Sequence, residues 1–216
     1  MGSRVMPREG AASLTLDWAV AARAYADASA SGDMYVLRPF EGGVLVGVVD
    51  ALGHGPEAEA TARLAVATLE QYAHEPPPNL IERCHRILVG TRGAAMGIGS
   101  IDWMDQTMTW LAIGDVDGRL FAWARGRSPP RALIRRGGIV GAGTLPSVRP
   151  WVVPIARGDL LLLVTDGVRG TFAEGIRTAD PPQHIADDVL ARHGKGTDDA
   201  LVLVVRIPPP PQESGS

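Results

Sequence analysis

Residues 43–60 read G-V-L-V-G-V-V-D-A-L-G-H-G-P-E-A-E-A, and the change of pattern inside this stretch decides the fold. Val44 to Val49 is a short, continuous, β-branched apolar run, the signature of a buried strand rather than a helix. It ends abruptly on Asp50. Gly53 and Gly55 then form a tight loop, and Pro56 with Glu57 and Glu59 opens a helix, because proline and negative charge suit a helix's first turn. Asp50 is therefore predicted at a strand tip, where a carboxylate is costly to desolvate unless something pairs with it.

One strand-ending Asp is an ordinary turn residue. This chain repeats the arrangement. Asp33 follows Ser31 and Gly32 just upstream, Asp166 ends an apolar strand in D-L-L-L-L-V-T-D-G, and Asp198 with Asp199 opens another in T-D-D-A-L-V-L-V-V. Several strands that each present an Asp at one end predict a cluster of carboxylates. Strand alternation sends Asp198 and Asp199 to opposite sides, so only one of the two can join it.

The 216 residues contain no interior linker, which predicts one domain over residues 12–207 and a disordered proline-rich tail at 208–216. A hydrophobic fraction of 45%, a charged fraction of 21% and a formal charge of -3 are ordinary for a globular protein. They give no electrostatic reason to expect nucleic acid or an anionic membrane as a partner. The single Cys84 excludes an internal disulfide and a multi-cysteine zinc site. The opening residues lack the apolar stretch of a secretory leader and no run approaches a membrane span, so a cytoplasmic location is expected.

Strands are predicted near Leu16 to Ala24, Met34 to Arg38, Val44 to Val49, Ala95 to Ile101, Thr107 to Ile113, Arg119 to Trp123, Trp151 to Ile155, Leu160 to Thr165 and Leu201 to Ile207. Helices are predicted near Pro56 to His74, Asn79 to Val89 and Pro182 to His193, with Pro76, Pro77 and Pro78 as the break between the first two. Strands outnumber helices and most connections are hairpin length, which predicts an α+β fold of mainly antiparallel sheets.

The ordered motifs carry a family resemblance. G-D at Gly32 and Asp33, D-A-L-G-H-G from Asp50, G-D-V-D-G-R-L from Gly114, T-D-G from Thr165 and D-D from Asp198 occur in the order seen in metal-dependent protein phosphatases. The chain resembles the bacterial SpoIIE-type branch of the protein phosphatase 2C superfamily from about Leu16 to Ile207. That resemblance implies an αββα sandwich with two divalent cations, Mn²⁺ or Mg²⁺, at one end. Oxygen donors suit such hard ions, which activate water and spread the charge of a phosphomonoester.

By the same resemblance Asp50 bridges both ions, Asp166 and Asp198 hold one, and Asp33 with the Ala51 carbonyl serves the other. Asp115 is either a ligand of a third, weaker ion or a plain turn residue. His54 is either a proton donor to the leaving group or the cap of a helix entry. Ala51 stands where the family usually has Gly, which would strain the loop if a glycine-only conformation were needed. Leu201 stands where Thr is common.

The implied activity is hydrolysis of phosphoserine or phosphothreonine on a protein, with a phosphorylated STAS-domain component of a stressosome or partner-switching module as the expected partner. Two alternatives stand beside it: a phosphatase-fold binding module with little turnover, and a hydrolase of small phosphate esters. Five arginines fall between Arg125 and Arg136. They form either a solvated loop and edge strand or a docking surface for an acidic or phosphorylated partner, through Arg125, Arg127 and Arg131.

Overall fold

In the computed structural model, which describes residues 16–25, 30–123, 129–147 and 149–207, each predicted strand and helix is present. In chain order they are β1 (Asp17–Arg23), β2 (Asp33–Phe40), β3 (Gly43–Ala51), α1 (Pro56–Gln71), α2 (Pro77–Leu88), β4 (Ala94–Asp102), β5 (Thr107–Ile113), β6 (Asp117–Phe121), β7 (Arg131–Ala132), β8 (Trp151–Pro154), β9 (Leu160–Val164), α3 (Pro182–His193) and β10 (Ala200–Arg206). The tail at 208–216, and with it the expectation of disorder there, lies outside the described residues.

The strands form two five-stranded sheets, ordered β1-β10-β9-β6-β7 and β2-β3-β4-β5-β8. Every adjacent pair is antiparallel. The expected sandwich is therefore observed. Strand β3 explains why its sequence is continuously apolar: Val44, Val46 and Val48 face the sheet that contains β9 and β10, while Leu45 and Val49 face α1 and α2. Strands β9 and β10 divide in the same way. Leu161, Leu163, Leu201, Leu203 and Val205 enter the layer between the sheets, and Leu160, Leu162, Val202 and Val204 pack under α3. A strand covered on both faces has no polar side to alternate with.

Two local features differ from the sequence expectation. Helix α2 begins at Pro77 with Pro76 at the cap position, two residues before the predicted start. Proline at the first helical positions loses no intrahelical bond, because those N–H groups have no partner in any case. The three prolines thus set the helix's entry as well as ending the loop. Strand β7 comprises only Arg131 and Ala132, both exposed, which leaves no apolar pattern to read.

Candidate active site

The register of the two sheets brings the acidic strand ends together. In the β2–β3 pair Asp33 lies directly opposite Asp50, and the Ala51 N–H donates to the Gly32 carbonyl at 3.0 Å. In the other sheet β9 and β10 pair as far as Val164 opposite Val202, which leaves Asp166, Asp198 and Asp199 just beyond the pairing. Thr165 links the sheets. Its hydroxyl donates to Asp33 Oδ2 at 2.6 Å and accepts the Leu201 N–H at 2.9 Å.

The two aspartates that start with Asp198 have different tasks. Asp199 is buried and both its oxygens are occupied, Oδ1 by the Tyr25 N–H at 2.6 Å and Oδ2 by the Gly32 N–H at 2.7 Å. It fastens the start of β2. Asp198 accepts only the Asp199 N–H, at 2.9 Å, among the described residues. Gly167 makes this crossing possible, since a Cβ there would stand 1.8 Å from the Asp199 carbonyl oxygen. In T-D-G the threonine and the glycine thus have structural tasks of their own beside the aspartate. The sequence alone assigns Thr165, Gly167 and Asp199 no task.

Electrostatics follow from this crowding. Burial first, and then the neighbouring Asp50 charge, push the Asp33 carboxyl up to about 8, against which the Thr165 hydroxyl bond works. Burial, followed by the Asp166 charge, raises Asp50 to about 7, partly offset by a hydrogen bond from the Asp166 backbone. Asp166 is raised by partial desolvation and by Asp198, and lowered by the Lys195 ammonium. Carboxylates assembled against their own repulsion hold protons near neutral pH unless a cation replaces them.

The donor set is all oxygen, which fits Mg²⁺ or Mn²⁺ and does not resemble a zinc site. Among the described residues no three acidic, His or Cys side chains close into a ready-made cage for one ion. An open cluster of this kind suits a hard ion that keeps much of its own water and takes only one or two carboxylates.

The remaining sequence candidates are placed as follows. Ala51 continues β3, and the only non-glycine residue at positive φ among the described residues is Gln106, so the alanine causes no strain. Leu201 points into the core between the sheets, and its backbone rather than its side chain serves Thr165. Asp115 is exposed at the rim, where Arg135 pairs with it and also donates to the Gly114 carbonyl. Its charge is felt at Asp166. His54 is exposed with its ring 5.2 Å from that of Tyr25. It is not the helix cap, because Gly55 occupies that position and no side chain bonds there. Arg125 and Arg127 lie outside the described residues. Arg131 is exposed on β7, opposite Leu120, with its guanidinium 5.8 Å from the Trp151 ring.

Residues 41–208 match the family described as Stage II sporulation protein E (SpoIIE). The chain belongs to the SpoIIE family. The sandwich is the one seen in protein phosphatase 2C domains. Phosphoserine phosphatase RsbX of Bacillus subtilis is 28% identical over 88 residues, 41% of this chain and 44% of RsbX. The match therefore spans less than half of that relative. A solved chain from work on the bacterial stressosome, described as a modular system adapted to control secondary messenger signalling, superposes with a TM-score of 0.79 at 25% identity, covering 88% of this chain and 99% of that one. RsbX in complex with magnesium superposes with a TM-score of 0.77 at 19% identity over 88% of this chain and 94% of its own. Among the described residues no helix of this SpoIIE-family chain is long and apolar enough to cross a membrane.

Proposed function

We propose that this chain is a Mg²⁺- or Mn²⁺-dependent phosphoprotein phosphatase that hydrolyses phosphoserine or phosphothreonine on a STAS-domain protein of a stressosome or related partner-switching module. The observation that carries the reading is the pairing of Asp33 opposite Asp50, both with carboxyl groups raised toward neutrality, beside Asp166 and Asp198. A site that keeps such groups together without a cation would be wasteful.

In this proposal Asp50, Asp166 and Asp198, with Asp33 and the Ala51 carbonyl, would hold the two divalent cations. When bound, the cations would supply an activated water and neutralise phosphate oxygens for hydrolysis of the serine or threonine phosphoester. The products are the free hydroxyl and inorganic phosphate. The chain's own contribution is placement. Thr165 fixes Asp33 against the opposite sheet, Asp199 anchors Gly32, and Gly167 lets the two strand ends cross. The regular geometry of Ala51 removes the one sequence feature that favoured a binding module without turnover.

RsbX and the stressosome chain support the partner class. The test is phosphate release from a serine-phosphorylated STAS-domain protein, with Mn²⁺ or Mg²⁺ and with EDTA. Metal-dependent release is expected. A folded, metal-loaded protein that binds the phosphoprotein without releasing phosphate would show a binding module instead.

A further inference from the structure

Beside the carboxylate cluster, the turn that joins α3 to β10 gathers positive charge around one glycine. The Lys195 ammonium hydrogen-bonds the Asp166 carbonyl. Arg169 Nη1 lies 3.4 Å from the Gly194 carbonyl oxygen. A Cβ at Gly194 would stand 2.5 Å from Arg23 Nη2, so a third cation covers the same glycine. All three side chains are exposed. Among the described residues neither Lys195 nor Arg169 forms an ion pair, whereas the adjacent Arg192 is taken by Asp188.

The backbone beneath these cations is held on every side. Gly194 N–H donates to Leu190 O at 3.0 Å, Lys195 N–H to Gly167 O at 2.8 Å and Arg169 N–H to His193 O at 2.9 Å, and Val168 bridges Gly194. The Asp166 charge attracts Lys195, but like charges gathered around one turn repel each other, a cost that an anionic ligand offsets. An ammonium is a point-charge phosphate binder and a guanidinium binds phosphate or carboxylate through two donors. Lys195 reaches the backbone of Asp166 in the cluster, while Arg169 and Arg23 meet at Gly194, the residue before Lys195 in sequence.

We infer that Lys195, Arg169 and Arg23 form a cationic rim that receives the phosphorylated, acidic surface of a protein substrate, with Lys195 on the phosphoryl group and the two arginines on flanking carboxylates. The inference rests on the phosphoprotein reading above. It differs from the docking expectation at Arg125, Arg127 and Arg131, because it sits on the turn that holds Asp166.

The test uses fluorescence anisotropy in Mg²⁺ with two labelled peptides, each carrying a non-hydrolysable phosphonate analogue of phosphoserine, one flanked by Asp and Glu and the other by Lys. The wild type should bind the acidic peptide more tightly, with an advantage that shrinks as salt is raised. Lys195→Gln should weaken both peptides by about tenfold, the loss of one charged hydrogen bond, and Arg169→Gln combined with Arg23→Gln should weaken the acidic one alone by about a hundredfold, the loss of two. Lys195→Arg should restore binding. Melting temperatures check that the variants fold. Equal affinity of wild type and variants for the acidic peptide, or a wild-type preference for the Lys-flanked one, would overturn the inference. Charge-dependent binding by a wild type that releases no phosphate from the corresponding phosphoserine peptide would instead overturn the phosphatase reading and leave the rim standing.

Discussion

The Thr165 hydroxyl donates to Asp33 at 2.6 Å and accepts the Leu201 N–H at 2.9 Å, so one buried side chain sets the acidic end of β2 against β9 and β10. Thr165→Val keeps the shape and removes both bonds. Leaving the Leu201 N–H unsatisfied should cost about 1–3 kcal/mol of stability. Loss of the group that orients Asp33 should weaken Mn²⁺ binding by about 10–100-fold. Thr165→Ser should recover most of both. Calorimetric titration with Mn²⁺ and thermal melting check this, and unchanged Mn²⁺ affinity in Thr165→Val would contradict it.

Asp198 and Asp199 should separate cleanly. Asp199→Ala strips the partners of the Tyr25 and Gly32 N–H groups and should cost about 1–3 kcal/mol for each that stays buried, lowering the melting temperature in the presence or absence of metal. Asp198→Ala should melt nearly as the wild type does without metal and lose Mn²⁺ affinity. The opposite pattern, with Mn²⁺ affinity intact in a folded Asp198→Ala, would move the ligand role to Asp199.

The metal-free protein should lose stability with rising pH. Asp33 and Asp50 are pushed from an ordinary 3.8 up to about 8 and about 7, burial being the first cause in both. An acid whose folded pKa exceeds its unfolded value binds protons more tightly when folded. Its stabilisation is complete below the unfolded pKa and is lost as pH rises through the folded one. In EDTA the melting temperature should therefore fall between about pH 4 and about pH 8, and Asp33→Asn should flatten that fall. Mg²⁺ at the upper end should reverse it. A melting temperature that rises over this window, or the same fall in Asp33→Asn, would refute the assignment.

Cys84 should be chemically silent while the protein is folded. It lies on α2, fully buried against α1 and the sheet that contains β3, and burial pushes its thiol up to about 12. Ellman's reagent should titrate it only after denaturation. Rapid reaction under native conditions would show that this helix pair opens.

Much of the fold was legible because its central strands are covered on both faces. The apolar runs of β3, β9 and β10 are continuous for that reason, and the Asp that ends or begins each run marks the same edge of the sandwich. The order of the acidic motifs then pointed to Asp33, Asp50, Asp166 and Asp198, which the register brings to one place. What stayed hidden depends on contacts distant in sequence. Thr165 meets Asp33 across 132 residues, and nothing local to T-D-G announces that bond. The cations around Gly194 come from β1, the turn after β9 and the end of α3, so no window of sequence shows them as a group. Strand β7 is two exposed residues, and Asp115 reads as a free turn carboxylate although Arg135 pairs with it.

The account stands most directly on the carboxylates at the strand tips. Phosphate release from a phosphoserine protein should be compared in wild type, Asp50→Asn and Asp166→Asn with saturating Mn²⁺, with circular dichroism confirming the fold. Both variants should keep the wild-type spectrum and fall to the rate of the wild type in EDTA, because each removes charge that holds the cations supplying the chemistry. A folded Asp50→Asn that retains substantial Mn²⁺-dependent turnover would contradict the assignment.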